Sequence, residues 1–275
     1  MLIYIFIAVS ILGGGLITVF GGLLCSPWDF WKPIVIIIGL FLGFCAVLTG
    51  LTALTSFLPK EEGKVNKLTR WFTLTFIKNA LLLMGVRVHI TGMEKIPTDR
   101  TFLFVSNHLT IFDPCIAISY FGKYNLAFIS KKENFDMPVV KGLITGCGCL
   151  SLDRDNDRAA VKTIIRASKI VKSGEMSMGI YPEGGTNKTD QPLLPFRNGA
   201  FKVAQRGGVP IVVTTIRGTK QIMKRMFRKT THVYIDVLRV IPFEDIDHVH
   251  TNQIGDLVYD IMLKDLATPS NKSRE

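Results

Sequence analysis

The sequence predicts an α/β domain, a largely buried sheet flanked by helices, preceded by a hairpin of two membrane-inserted helices. Three observations carry that reading. From Met1 to Trp28, and again from Pro33 to Pro59, no side chain is charged, and each run is long enough to cross roughly 30 Å of hydrocarbon as a helix. Hydrophobic residues make up 48% of the 275, with a mean hydropathy of +0.31, and the excess is concentrated in those two runs. Farther along, short β-rich segments alternate with stretches of helical periodicity, the pattern of a layered α/β domain.

The start, Met1-Leu-Ile-Tyr, has no basic n-region and a second apolar run follows at once, which argues against a cleavable signal peptide. Between the runs, Ser26-Pro-Trp-Asp-Phe-Trp-Lys-Pro33 is short and Trp-rich, as suits either the opposite membrane interface or the tip of a re-entrant pair. Ser10, Gly14, Thr18 and Gly22 share one face of the first helix at four-residue spacing, and Gly39 and Gly43 offer a similar groove on the second. That pattern favours close helix packing, although Gly is common in membrane helices generally. Lys60, Lys64, Lys67 and Arg70 follow the second run, so the positive-inside rule puts this end, and the domain after it, on the cytoplasmic side.

Residues 65 to 85 mix basic residues with Val65, Trp71, Phe72, Phe76, Leu81 and Leu83, and read equally as a helix lying on the membrane or as an ordinary core helix. Strands are expected over Val86–Thr91, Thr101–Ser106, Leu126–Ser130, near Leu150, and over Ser177–Tyr181, Val209–Thr215 and His232–Val240. Helices are expected over Arg158–Ser173, apolar at Val161, Ile164, Ile165, Ala167, Ile170 and Val171, and over Thr251–Leu266. The chain thus divides into a hairpin (1–58), an interfacial linker helix (59–85), a main domain (86–267) and a flexible polar tail (268–275).

The first 58 residues hold one basic and one acidic side chain, Lys32 and Asp29, so the whole net charge of +11 belongs to the rest. A basic domain tethered to a membrane is drawn to anionic head groups and phosphorylated substrates. Nucleic acid is not expected as a partner, because no basic helix, zinc spacing or RNA-binding aromatic signature accompanies the charge. The cysteines, including Cys147-Gly-Cys149, are too close or too apolar in setting for zinc and read as reduced, buried thiols.

His108 and Asp113, in Ser106-Asn-His-Leu-Thr-Ile-Phe-Asp-Pro114, are the candidate catalytic pair. Five residues apart, they point about 140° from each other on a helix and to opposite faces on a strand. A turn must therefore fold the carboxylate back, so that it holds one imidazole nitrogen while the other faces a substrate hydroxyl. The competing reading makes Asp113 the N-cap of a helix with Pro114 at its first position.

Three later segments look suited to phosphate. Leu152-Asp-Arg-Asp155 ends a strand with Arg154 placed for a bidentate contact, unless it pairs with Asp153, Asp155 or Asp157. In Gly179-Ile-Tyr-Pro-Glu-Gly-Gly-Thr-Asn-Lys188, a strand ends in Pro182 and Glu183, Gly184 and Gly185 let the backbone approach an anion, and Thr186, Asn187 and Lys188 add donors. Pro195-Phe-Arg-Asn-Gly-Ala200 puts Arg197 near a helix start.

Taken in order, Asn107-His108 with Asp113, Gly148 to Arg154, Tyr181-Pro-Glu-Gly184 and Val209-Pro-Ile-Val212 resemble the four blocks of the glycerolipid acyltransferases of the 1-acylglycerol-3-phosphate acyltransferase type, over about residues 86 to 240. The resemblance implies an acyltransferase of phospholipid synthesis that passes a fatty acyl group from acyl-CoA or acyl-carrier protein to the sn-2 hydroxyl of lysophosphatidate, giving phosphatidic acid. On that analogy His108, in the His-X4-Asp motif, is the general base and Asp113 orients it. Asn107, Arg154, Glu183, Gly184, Gly185 and Thr186 hold the acceptor, with Lys131 or Lys132 as additional phosphate contacts. No cofactor, metal or covalent acyl-enzyme is required. The third block departs from the family's usual Pro-Glu-Gly-Thr-Arg: it gains a residue and lacks the arginine, leaving Lys188 or Arg197 to supply the cation. A different lysophospholipid or amphipathic alcohol is therefore an alternative acceptor. Two other classes stand beside this one: a lipid-binding protein without turnover, and a metallohydrolase built on Asp245, Asp247, His248 and His250.

Overall fold

A computed structural model describes residues 2–20 and 31–267. The connection containing Trp28, together with Gly22, Cys25, the side chain of Thr18 and the tail from residue 268, lies outside the described residues.

The hairpin helices α1 (Leu2–Phe20) and α2 (Lys32–Thr55) pack through the small side of α1. A Cβ on Gly14 would stand 2.5 Å from Ile37 Cγ1, and the rings of Phe6 and Phe44 meet with centroids 3.5 Å apart. The expected groove on α2 lies elsewhere, since nothing comes within 4 Å of a Cβ on Gly39 or Gly43. Ile37 and Phe44, two turns apart, define the contact face, and Gly39 sits about 200° round the helix from Ile37. Gly13 and Gly14 of α1 thus receive Leu40 and Ile37 of α2, while Phe6 meets Phe44 ring to ring. Ile34, Val35, Ile38, Leu42, Val47 and Leu54 of α2 remain exposed. This helix is long and apolar enough to cross a membrane, whereas α1 contributes a shorter apolar stretch, Tyr4–Ile17.

The end of α2 is fastened to the main domain. Lys60 Nζ donates to the carbonyls of Thr55, Ser56 and Leu58, and Thr69 Oγ1 donates to Thr55 O at 3.2 Å. Helix α3 (Lys67–Leu83) begins at Asn66, whose side chain accepts from Thr69 N. One of its faces is packed as a core helix and the other is open. Thr69, Arg70, Thr73, Asn79 and Leu81 are buried against the domain, while Leu68, Trp71, Leu82 and Leu83 are exposed. Arg70, buried without a carboxylate, donates instead to the carbonyls of Cys147 and Leu126.

The strands are β1 (Val86–Thr91), β2 (Leu103–Val105), β3 (Ala127–Lys131), β4 (Leu150–Leu152), β5 (Met178–Ile180), β6 (Ile211–Arg217) and β7 (Thr231–Ile241). They form one seven-stranded sheet in the order β1-β7-β6-β2-β5-β3-β4. The five strands β2 to β6 run parallel, and β7 returns antiparallel beside β6 with β1 alongside it. Every residue of β2 and β5 is buried, which is why these strands are uninterrupted apolar runs without alternation. Between and after the strands lie α4 (Phe112–Tyr120), α5 (Pro138–Gly146), α6 (Asp157–Lys172), α7 (Lys202–Gly207), α8 (Ile222–Arg225) and α9 (Thr251–Ala267). In α6 the apolar stripe holds at Ala167 and Val171, but Val161 faces outward. Among the described residues the cysteines are free thiols, and burial pushes Cys115 and Cys147 up to about 11 and Cys149 up to about 12.

Candidate active site

The site forms outside the carboxyl ends of the parallel strands, where open α/β sheets present their loops to ligands. Strand β2 ends at Val105, and Asn107 ties the chain to its neighbour: its amide nitrogen donates to Ile216 O at 3.0 Å and its oxygen accepts from Ile216 N at 2.8 Å. Both polar atoms of this buried residue are thus used inside the fold, so the expected role of Asn107 in substrate binding is corrected to one of anchoring the loop that carries His108.

The turn from His108 to Asp113 closes as the spacing requires. His108 Nδ1 lies 2.9 Å from Asp113 Oδ2, and that same oxygen accepts from Leu109 N at 2.5 Å and Thr110 N at 2.7 Å. A carboxylate oxygen can only accept, so Nδ1 carries the proton and Nε2 presents its lone pair. Helix α4 starts at Phe112, which places Asp113 within its first turn, and the carboxylate reaches back to the turn's own amides. The N-cap reading is therefore corrected: Asp113 closes the turn before the helix, and Pro114 is not its first residue. Behind the imidazole, Tyr181 stacks at 4.2 Å between centroids and Phe128 stacks on Tyr181 at 5.2 Å, fixing the ring plane from one side. Asp113 is fully buried, whereas the His108 side chain keeps 17% of its surface open.

Glu183 also works inward. Its two oxygens accept from His108 N at 2.7 Å and Leu194 N at 2.9 Å. Burial raises its pKa, and the two amide hydrogen bonds and His108 oppose that shift. In this structure Glu183 braces the catalytic loop with one bond from each oxygen. Asn187, which sequence reasoning treated only as a donor, is buried and donates its N–H to His108 O at 2.7 Å, while its side chain bonds Gln191 and Thr189. Tyr181 and Thr110 were missed as site residues, and the signal available was Tyr181 heading the third block.

Two guanidiniums converge on the turn. The stem of Arg197 crosses Gly184, where an added Cβ would meet Arg197 Nε at 2.7 Å, and Gly184 adopts a left-handed φ of +71°. Arg154 makes no ion pair among the described residues, and its Nε is buried without a partner. Its feared carboxylate partner Asp153 is engaged by Lys132 at 3.2 Å. Burial lowers the Arg154 pKa and the nearby Arg197 charge adds to the effect, while the Glu133 and Asp155 carboxylates oppose it without pairing with the guanidinium. Gly185 has open space beside its Cα, and Thr186 is half-buried next to it. Lys131 is exposed with Glu133 at 4.0 Å, Lys132 is occupied by Asp153, and Lys188 is exposed. Of the expected cations, the structure brings Arg154 and Arg197 together and leaves the lysines at the rim. Among the described residues no three of His, Cys, Asp and Glu gather as metal ligands, and Asp247 and His248 form a surface pair at 3.3 Å.

The family model described as Acyltransferase matches residues 87–217. A 1-acyl-sn-glycerol-3-phosphate acyltransferase of Borreliella burgdorferi is 27% identical over 194 residues, covering 70% of this chain and 76% of that protein. A Mycoplasma pneumoniae protein named "Probable 1-acyl-sn-glycerol-3-phosphate acyltransferase" is 31% identical over 185 residues, covering 63% of this chain and 67% of that one. The crystal structure of a 1-acyl-sn-glycerophosphate acyltransferase from Thermotoga maritima superposes with a TM-score of 0.62 at 23% identity, over 81% of this chain and 90% of its own, a likeness of fold.

Proposed function

This chain belongs to the family of the 1-acyl-sn-glycerol-3-phosphate acyltransferases, and from that premise we propose that it transfers a fatty acyl group from a thioester donor, acyl-CoA or acyl-carrier protein, to the sn-2 hydroxyl of lysophosphatidate. The observation that carries the reading is an imidazole oriented by a buried carboxylate, with two guanidiniums nearby that make no ion pair among the described residues. His108 Nε2 takes the proton of the acceptor hydroxyl as its oxygen attacks the thioester carbonyl. The tetrahedral intermediate collapses with loss of the thiolate, which recovers the proton from the imidazolium. Asp113 stabilises that imidazolium and holds Nδ1–H in place.

Arg154, Arg197 and the Gly184–Gly185 backbone grip the acceptor phosphate, so the glycerol hydroxyl is held against the base. That positioning accounts for much of the rate, because both reactants are bound before reaction. The exposed apolar helix α2 supports membrane association, and Lys60, Lys64 and Lys67 after it support a domain on the cytoplasmic face.

The test is release of free CoA by purified protein given acyl-CoA and lysophosphatidate. His108→Ala should lower the rate by at least a thousandfold with unchanged melting. Equal rates in the two proteins would remove His108 from the chemistry. A lipid-binding protein without turnover would release no CoA in either case.

A further inference from the structure

The connection between β6 and β7 joins a run of cations to two exposed apolar side chains. Residues 219–230 contain Lys220, Lys224, Arg225, Arg228 and Lys229 and no acid. In their midst Met223 is 62% and Phe227 75% exposed. Lys224, Arg225, Arg228 and Lys229 make no ion pair among the described residues. The backbone is held in shape to produce this. Arg225 O accepts from both Arg228 N at 2.9 Å and Lys229 N at 3.0 Å, and the tight turn forces Phe227 to a φ of +60°. A large side chain in the left-handed region is unfavourable, and at 75% exposure the ring gains little burial to offset it.

The place of the loop gives it meaning. β6 is parallel to β2, so Arg217 and His108 emerge at the same edge of the sheet, where Asn107 joins the two strands. Lys220 Nζ donates to Thr189 O, in the segment that carries the glycine turn of the site. On the other side Thr231 N donates to Gly85 O, which brings the loop against the end of α3 and its exposed Leu82 and Leu83. Ile111, 75% exposed, stands in the catalytic turn itself. One edge therefore presents Ile111, Leu82, Leu83, Met223 and Phe227 outward, ringed by cations, beside an imidazole whose acceptor is a lipid.

We propose that the 219–230 loop is a second membrane-contacting element, in which Phe227 and Met223 enter the head-group region and Lys224, Arg225, Arg228 and Lys229 hold anionic phospholipid, so that the mouth of the site rests on the bilayer that supplies its acceptor. An aromatic ring and a thioether amid lysines and arginines match the amphipathic character of the interface, and basic residues near an anionic bilayer act additively. The proposal rests on the lipid-acceptor reading, yet its first test needs no turnover.

Full-length protein is reconstituted in vesicles of phosphatidylcholine and phosphatidylglycerol, with brominated phosphatidylglycerol as the quencher. Phe227→Trp is compared with the parent protein, whose Trp28, Trp31 and Trp71 set the background. The introduced indole should add emission that bromolipid quenches about twofold or more; an unquenched increment overturns the proposal even if the enzyme is active. A Lys224→Glu, Arg225→Glu, Arg228→Glu variant should abolish that quenching. It should also lower turnover of long-chain acceptor in anionic vesicles, up to roughly fivefold per residue, while leaving a short-chain acceptor in free solution unaffected. Equal loss on both acceptors, or a loss confined to an acyl-carrier protein donor, would assign the loop to protein docking and reject the membrane role. Phe227→Gly separates folding from contact: glycine accepts the left-handed φ, so melting should not fall while vesicle turnover does.

Discussion

Replacing Asp113 by Asn isolates the charge from the architecture. The Asp113 oxygen Oδ2 accepts three N–H groups and Oδ1 accepts Thr110 Oγ1 at 3.2 Å. An asparagine can keep its amide oxygen on the Leu109 and Thr110 amides and turn its nitrogen toward Thr110 Oγ1, so no buried backbone donor is abandoned. What disappears is the negative charge 2.9 Å from the ring that becomes cationic during transfer. At an effective dielectric of about 20, that attraction is worth up to about 6 kcal/mol, or about four decades in rate. Because a neutral oxygen keeps part of the interaction, a loss of about 10³- to 10⁴-fold in kcat is expected, with stability falling by less than about 2 kcal/mol. Asp113→Ala differs: it strands two buried amides, costing about 1–3 kcal/mol each. Rates come from CoA release and apparent melting from thermal scans in one detergent. An Asn variant retaining more than a tenth of the activity would refute the imidazolium argument. One that melts as low as the Ala variant would reduce Asp113 to a structural turn residue.

The remaining sites separate by the same logic. Asn107→Ala should lose about 1–3 kcal/mol of stability, since both Ile216 bonds vanish, with KM for the acceptor unchanged below the melting range. Arg197→Lys keeps the charge but not the fork, and should raise the KM for lysophosphatidate about tenfold while an acceptor lacking phosphate shows no change. Gly184→Ala, placing a methyl against Arg197 and a Cβ at φ +71°, should cost about 1 kcal/mol and raise the same KM. Glu183, whose folded pKa lies above its unfolded one, contributes stability that is present below the unfolded value near 4.5 and lost as pH rises through the folded value. Melting curves between pH 4 and 7 should show this slope in the parent and a flatter one in Glu183→Gln.

Local pattern carried most of the fold. The edge strand Val86–Thr91 has the limits read from sequence, and the parallel core strands differ only by fraying at their ends, because runs buried on both faces are short, apolar and bounded by turn residues. The hairpin contact was half legible: four-residue spacing identified Gly14, but which face α2 offers depends on large residues such as Ile37, and a glycine facing lipid looks the same in one dimension. At the site, the closure of Asp113 on His108 followed from chemistry at five-residue range. The roles of Asn107 and Glu183 did not, since each is fixed by backbone groups remote in sequence, Ile216 and His108 respectively. An amide or carboxylate in a loop carries no local mark of whether it faces a ligand or a neighbouring strand. Similarly, the N-cap reading failed by two residues, because Ile111 occupies the cap and Phe112 enters the helix before Asp113.

The altered third block has a physical resolution. With an added residue in Gly184-Gly-Thr-Asn-Lys188, the side chain four positions beyond Gly184 is a lysine at the exposed rim, and Asn187 spends its amide on the loop itself. The turn cannot supply a guanidinium from within. It supplies room instead: Gly184, held left-handed and lacking a Cβ, lets the stem of Arg197 lie directly across it. Arg197 N donates to Pro182 O at 2.8 Å, so the backbone bearing the arginine is itself fastened to the strand end that precedes Glu183. Arg154, partly buried and with an unpartnered Nε, follows β4, two strands away from β5 in the sheet, and is close enough to feel the Arg197 charge. The Arg197 charge and burial both disfavour the Arg154 cation, Glu133 and Asp155 offset them in part, and a bound anion would relieve what remains. The glycine that reads as a place for backbone to touch phosphate thus serves equally to admit the cation.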